Sequence, residues 1–258
     1  MKLLDIIAQK FLELKQKCGA QSIGIVHGTG RPFLTLLQRF ANCLGTPNIC
    51  SPGHSCYLPR VTASEITCGM PDDLQSLPIC NFYGFGNVYP QMCYSVCGAN
   101  IVWSGAADGM CGIQLLKTVN RGAKLIIIDP RRIMDIADVW APIRLGTDAF
   151  LALAMLHVIL EEKLYDKEFV DKWTFGFNEL AERVKAYSPE NVEETTWIPA
   201  EITRKIARTY ASTKLACILC GVGIDQSANN FQTARAILCL MGITGNLDVP
   251  GENVLGSA

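Results

Sequence analysis

Apolar positions in this chain follow two patterns: blocks spaced three and four residues apart, and short continuous runs that break at glycine. In residues 2–17, Leu3, Ile6, Ile7, Phe11 and Leu14 fall at helical spacing and predict an amphipathic helix with a core-facing stripe. Residues 22–30, SIGIVHGTG, predict a buried strand entering a glycine turn, and 31–45 a helix stopped by Gly45 and Pro47. Residues 46–60 carry Pro47, Pro52, Gly53 and Pro59 and predict a loop, followed by a short helix over 61–69. Residues 70–98 mix aromatics with turn formers and yield no assignment.

Beyond that stretch the signal sharpens. Residues 100–106 predict a strand and 109–120 a helix. AKLIIIDPR (123–131) predicts the clearest strand, because an unbroken apolar run suits a parallel strand covered on both faces. Helices are predicted over 148–163, 166–172, 177–187, 199–212 and 228–242, with a strand and glycine turn at 215–223. Strand, glycine turn and helix thus recur three times, which is the grammar of a doubly wound α/β sheet that binds ligands beyond its strand carboxyl ends.

Charge and cysteine content narrow the chemistry. Over 258 residues, 23 basic and 24 acidic side chains nearly cancel, so neither nucleic acid nor an anionic membrane is an expected partner. Twelve cysteines are many, but several lie inside apolar runs, as Cys217, Cys220 and Cys239 do. A buried thiol there acts as a small hydrophobe, which implies a reducing compartment. A cytoplasmic setting is favoured for this chain because it opens on no signal peptide, with export of a longer parent left open. The opening segment carries charges throughout and reads as no signal peptide, and no apolar run reaches membrane-spanning length.

The candidate site residues each have a plainer reading. Glycine turns at Gly28–Gly30, Ser104–Gly105 and Gly221–Gly223 could admit a phosphate or simply close tight βα turns. None completes the GxGxxG fingerprint, so an ordinary dinucleotide site is not supported. Asp129 ends a strand where such folds often set an acid against a ribose or base, or else caps the turn before Pro130. Arg131 and Arg132 offer guanidinium groups for phosphate or ring recognition. In LGTD (145–148), Thr147 or Asp148 suits a helix cap, and the Asp148 carboxylate suits a guanine edge. Cys56 lies in a Pro/Gly-rich loop with His54 two residues before it; it is an ordinary loop thiol or a ligand for a soft metal. Cys93 and Cys97 form a C-x3-C pair. Cys217 and Cys220 lie within one predicted strand and should face opposite sides, which excludes them as a joint metal site. No four cysteines have iron–sulfur cluster spacing.

Taken in order, GAKLIIIDPRR, the stretch from MDIADVWAPIRLGTDAF to DKWTFGF, YSPENVEETTWIPAEITRKIARTYA, GVGIDQ and GITGNLDVPGENV resemble the catalytic subunit of the dimethyl sulfoxide reductase superfamily. The resemblance runs from about residue 5 to the end. It implies a bis(molybdopterin guanine dinucleotide) cofactor carrying Mo or W, with Cys56 as the protein's ligand to the metal and its catalytic residue. It places Ser104, Gly105, Asp129, Arg131, Gly146 and Asp148 on one guanine dinucleotide arm, and Gly221, Gly223, Gln226 and Asn246 near the pterin of the other lobe. It implies two doubly wound, Rossmann-like lobes, one of residues 1–99 and 215–258 and an inserted one of 100–214. The family's N-terminal domain with its 4Fe–4S cluster and its C-terminal barrel are not in this sequence. Tyr57 stands where the formate-oxidising branch has histidine, and residues 247–258 lack the arginine that branch carries beyond the Gly-Asn turn, so a function other than formate oxidation is expected. WSGAAD replaces the family's Gly-x-Asn-Pro and departs from one expected cofactor contact.

The resulting expectation is the central part of an anaerobic reductase or dehydrogenase that acts on a small molecule and is served by an iron–sulfur electron-transfer subunit, inactive as this piece alone. The alternatives are a non-catalytic cofactor-binding or assembly module that needs partner chains, and a plain nucleotide-binding domain without metal.

Overall fold

The computed structural model describes residues 2–28, 33–70, 93–102, 111–248 and 253. The chain forms two compact units, Met1–Leu58 and Pro59–Ala258.

The first unit holds α1 (Lys2–Cys18), β1 (Ile25–Val26), α2 (Leu34–Leu44) and β2 (Ile49–Cys50), with β1 and β2 paired in parallel. Gly45 ends α2 in the left-handed conformation at φ +85°, the geometry that only a residue without Cβ adopts readily. Thr46 is buried and its hydroxyl donates to the Ile23 carbonyl, which ties the turn after α2 to the segment before β1. The predicted core stripe on α1 is not observed. No α1 residue is buried, and Leu3, Leu4 and Ile6 are each more than 60% exposed. Helical spacing reports that one face is apolar; it does not report what covers that face.

The second unit is built on one parallel sheet of order β5-β4-β3-β6, formed by β3 (Cys93–Cys97), β4 (Lys124–Ile128), β5 (Val139–Ala141) and β6 (Ala216–Cys220). β3 lies centrally, with Cys97 opposite Ile128 on one side and Cys220 on the other. The strand expected over 100–106 is therefore displaced. The sheet uses CYSVC at 93–97, residues 101–102 turn, and 103–106 lie outside the described residues.

Both faces of the sheet are covered. Leu125, Ile127, Val96, Cys217 and Leu219 join Leu115 of α4 (Cys111–Val119) on one side. Ile126, Ile128, Cys93, Cys97 and Cys220 face the larger core on the other. That core is closed by α5 (Asp148–Glu161), α9 (Ala200–Ser212) and α11 (Asn230–Ile243), with α6 (Lys167–Trp173), α7 (Phe177–Val184) and α8 (Pro189–Thr196) around them. Strands 125–128 and 216–220 are buried throughout, as a doubly covered parallel sheet requires.

The expected lobe boundary at residues 99/100 lies between two neighbouring strands of this sheet. The expected division sets β3 in one lobe and β4 in the other, yet the two strands pair in register along all five residues. The two compact units divide at residues 58/59.

Candidate cofactor site

The four described strands of the second unit are parallel, so their carboxyl ends share one edge. Loops leave this edge after Cys97, Ile128, Ala141 and Cys220. The strand order reverses at β3, where the chain steps to β4 on one side and later returns to β6 on the other. That reversal is where open α/β sheets bind ligands.

Two acids meet on this edge. Asp129 follows β4 directly and is 4% exposed. Its Oδ1 accepts from the Arg131 backbone N–H at 2.9 Å and lies 3.4 Å from the Arg131 Nε. The indole N–H of Trp140 donates to the Asp129 carbonyl at 2.9 Å and fixes the turn. Asp148, half-buried, opens α5 behind Gly146, whose φ of +80° makes the turn that brings the carboxylate there. Withdrawal from water pushes the Asp148 carboxyl up from 3.8 to about 6. Its own backbone N–H opposes the shift, and the charge of nearby Asp129 adds to it. Thr147 is the N-cap residue, but its hydroxyl donates to the Arg144 carbonyl, so the expected side-chain cap is not formed there. Asp148 also lines a small cavity of about 20 Å³ with Ser95, Cys97 and Met155. Arg144 sits on the same loop, exposed, with its guanidinium 5.3 Å over the Trp197 ring.

The glycine turn after β6 has a different role. The Gly221 N–H donates to the Cys97 carbonyl and the Gly223 N–H to the Gly98 carbonyl. A Cβ on Gly221 would lie 2.4 Å from the Gly98 carbonyl oxygen, and one on Gly223 would lie 2.9 Å from it. These glycines let two strand-end loops pack backbone to backbone, and two of their amide donors are already engaged. Gln226 is exposed at the end of α10 (Val222–Asp225).

Asn246 is not brought to this edge. It is fully buried and donates to the Thr244 hydroxyl, next to Tyr210. Lys214, just before β6, donates to the Thr244 carbonyl, and Tyr210 lies near Cys93, the first residue of β3. Asn246 thus belongs to the amino ends of the strands. Ser104 and Gly105 lie outside the described residues.

Cys56 belongs to the first unit, half-buried at the end of a short 3-10 turn over Pro52–Ser55. The Ser51 hydroxyl caps that turn by accepting from Gly53 N–H, and the Cys56 N–H donates to the Gly53 carbonyl. The side chain of His54 is outside what is described. The thiols on β3 are of another kind. Burial pushes Cys93 up to about 12 and raises Cys97 well above its ordinary value, so both stay neutral. Cys217 and Cys220 face opposite sides of the sheet, as alternation along a strand predicts. Among the described residues no three His, Cys, Asp or Glu side chains converge as a metal site, and no helix is long and apolar enough to cross a membrane.

Sequence reasoning missed one feature of this edge. Arg60 of α3 (Leu58–Cys68) meets Asp225 of α10, with Nε to Oδ1 at 3.0 Å and Nη2 to Oδ2 at 3.2 Å. Both side chains are fully buried. The residues are 165 positions apart, and no spacing rule links them.

A parallel, doubly covered sheet with a pair of sheltered acids at its carboxyl edge defines an open α/β domain, the class that binds ligands beyond its strand ends. Residues 2–257 match the molybdopterin oxidoreductase family, and the chain belongs to that family. It is 34% identical to acetylene hydratase of Syntrophotalea acetylenica over 98% of this chain and 33% of that protein. It is 30% identical to formate dehydrogenase H of Escherichia coli, covering 97% and 34% of the two chains. It is also 30% identical to the dimethyl sulfoxide reductase DmsA of Haemophilus influenzae, covering 92% and 33%. The solved structure of acetylene hydratase from Pelobacter acetylenicus superposes with a TM-score of 0.82 at 33% identity, over 99% of this chain and 34% of that one. The chain spans about a third of the length of these relatives.

Proposed function

We propose that this chain is the central cofactor-binding part of a Mo- or W-dependent oxidoreductase, and that Asp129 and Asp148 hold the guanine end of one arm of a bis(molybdopterin guanine dinucleotide). The single observation behind this reading is the pair of acids at the carboxyl edge of the sheet, one buried and the other with its carboxyl pushed up to about 6. A carboxylate only accepts hydrogen bonds, and a guanine edge presents adjacent N–H donors that match it. Asp129 already accepts from Arg131 and suits the ribose hydroxyls. Arg131, with its side chain 73% exposed, is free to turn toward a phosphate.

Around Gly98, Gly221 and Gly223, the absence of side chains allows close backbone approach, while the Gly221 and Gly223 amides are committed to the fold. Cys56 is the proposed protein ligand to the metal and catalytic residue, on the strength of its position in the family's order of motifs; a thiolate suits a sulfur-rich metal. The bound cofactor supplies the two-electron chemistry, and the protein supplies position and electrostatics. The residues of this chain hold the nucleotide end and keep Asp148 in a protonation-sensitive pocket. The whole protein is expected to act on a small molecule, with formate not the favoured substrate because Tyr57 follows Cys56, and to pass electrons through an iron–sulfur partner.

Nucleotide selectivity tests the reading. Titration calorimetry with GDP, IDP and ADP at pH 7.5 should rank GDP above IDP, which lacks the 2-amino donor, and IDP above ADP. GDP affinity should rise as pH increases through about 6, because acceptance of guanine donors needs the ionised Asp148. Equal binding of the three nucleotides would remove Asp148 from a guanine-reading role.

A further inference from the structure

A second cleft in the same unit is lined by α5, α7 and α11, on a stripe of α5 adjacent to the one that carries Asp148, and has no residue in common with the acid pair. Its volume is about 350 Å³, within the range of roughly 300–1,000 Å³ typical of small-ligand sites. The floor is apolar, with Leu153, Leu156 and Leu180, and one wall is the tilted ring pair Phe150 and Tyr187, with centroids 6.0 Å apart. Among the described residues two arginines line it, Arg183 and Arg235, and no carboxylate does.

Those arginines differ from most in the unit. Arg60, Arg131, Arg132, Arg204 and Arg208 each meet a carboxylate. Among the described residues neither Arg183 nor Arg235 has one. Each instead lies over an aromatic ring of its own helix or the turn after it: Arg183 over Tyr187 at 5.6 Å and Arg235 over Phe231 at 6.0 Å. Stacking on a ring uses the guanidinium face and leaves its N–H edge for an acceptor. Arg183 Nη2 approaches the Tyr187 hydroxyl at 3.3 Å, and Arg235 Nη1 approaches Gln232 at 3.4 Å, both long contacts with neutral groups. Cys239 adds no negative charge, because burial raises its thiol against the opposing pull of Arg235.

The geometry points to a binding site for a small free carboxylate with a planar apolar body, its acid group held between Arg183 and Arg235 and its ring against Phe150 and Tyr187. The cationic edge suits an anion, the leucines suit an apolar body, and the limited size favours a small molecule over a folded partner. This site is independent of the pterin reading.

The test uses the intact chain with phenylacetate, its neutral analogue phenylacetamide, and inorganic phosphate, followed by amide chemical-shift titration and calorimetry. Phenylacetate is expected to bind saturably and at least tenfold more tightly than either of the others, with shifts clustered at Phe150, Leu153 and Tyr187. The Arg183→Gln/Arg235→Gln double variant should lose at least tenfold while its thermal midpoint is kept, since both side chains are on the surface. Phenylacetate and GDP should bind together without competition. Equal binding of acid and amide, phosphate binding as tight as phenylacetate, competition by GDP, or unchanged binding in the double variant would each overturn the assignment. So would an acidic peptide that outcompetes phenylacetate, since it would make the cleft a polypeptide groove.

Discussion

Asp225 and Asp148 are two acids of the same unit drawn away from water, and they are provided for in opposite ways. Asp225 has both carboxylate oxygens against the Arg60 guanidinium, with no exposure on either side chain. Asp148 is raised to about 6 by its withdrawal from water and by the charge of Asp129, with no cation among the causes that act on it. A buried charge matched within the fold needs no partner from outside it. An acid sheltered from water with a like charge for a neighbour costs stability, and such acids collect where a ligand supplies the missing partner. On the proposed reading, the difference separates scaffold from site on one sheet edge.

The largest effect should come from breaking the matched pair. Asp225→Ala strands the Arg60 guanidinium in the interior, and loss of one partner of a buried pair costs on the order of 3–5 kcal/mol. Arg60→Met with Asp225→Leu removes both charges and should cost far less, because no orphan charge remains. Urea denaturation of both variants checks this. A double variant as damaged as the single one would show that the pair's contribution lies in shape, not charge compensation.

Asp148→Asn should act in the opposite direction. The folded carboxyl sits near 6 and the unfolded one near 3.8, so protonation is favoured by folding. The stability of the wild type linked to this group is present below about pH 4 and lost as pH rises through 6. A carboxyl raised that far loses roughly 2–3 kcal/mol of folding stability once it is ionised. The asparagine variant should match wild type near pH 4 and exceed it by about that amount at pH 7.5, while its GDP affinity falls. Parallel stability–pH curves for the two proteins would mean that Asp148 is not strained by its surroundings.

This contrast is half legible in the sequence. The run LIIIDPR marks Asp129 as a strand-end acid, and LGTD marks Asp148 as a turn-to-helix acid, because short-range patterning encodes both. The alternation of Cys217 and Cys220 across the sheet is equally readable. Three-dimensional pairings are not. Arg60 and Asp225 meet only once α3 and α10 are packed, and neither four-residue α10 nor α8 has an apolar period long enough to announce itself. The strand at 93–97 stays hidden because Tyr94 and Ser95 interrupt its apolar run and the stretch before it is dense in aromatics and turn formers. The motif around Asn246 points toward the site, while the chain carries that residue to the other end of the strands. The apolar stripe of α1 predicts a core contact that the described residues do not make, because hydrophobic spacing alone cannot name the covering surface.

Arg131 gives the smallest stability effect and the sharpest separation between the two kinds of acid. Its side chain is 73% exposed and approaches Asp129 at 3.4 Å, whereas its backbone N–H makes the shorter bond at 2.9 Å. Arg131→Gln keeps that backbone bond and removes only a screened ion pair, so the loss of stability should stay under about 1 kcal/mol. If Arg131 serves the nucleotide, GDP affinity should fall several-fold while GMP, with one phosphate fewer, loses less, because a guanidinium contributes most where phosphate charge is greatest. A stability loss as large as that of Asp225→Ala would place Arg131 with the scaffold. An unchanged GDP affinity would leave Asp129 and Asp148 to hold the nucleotide without it.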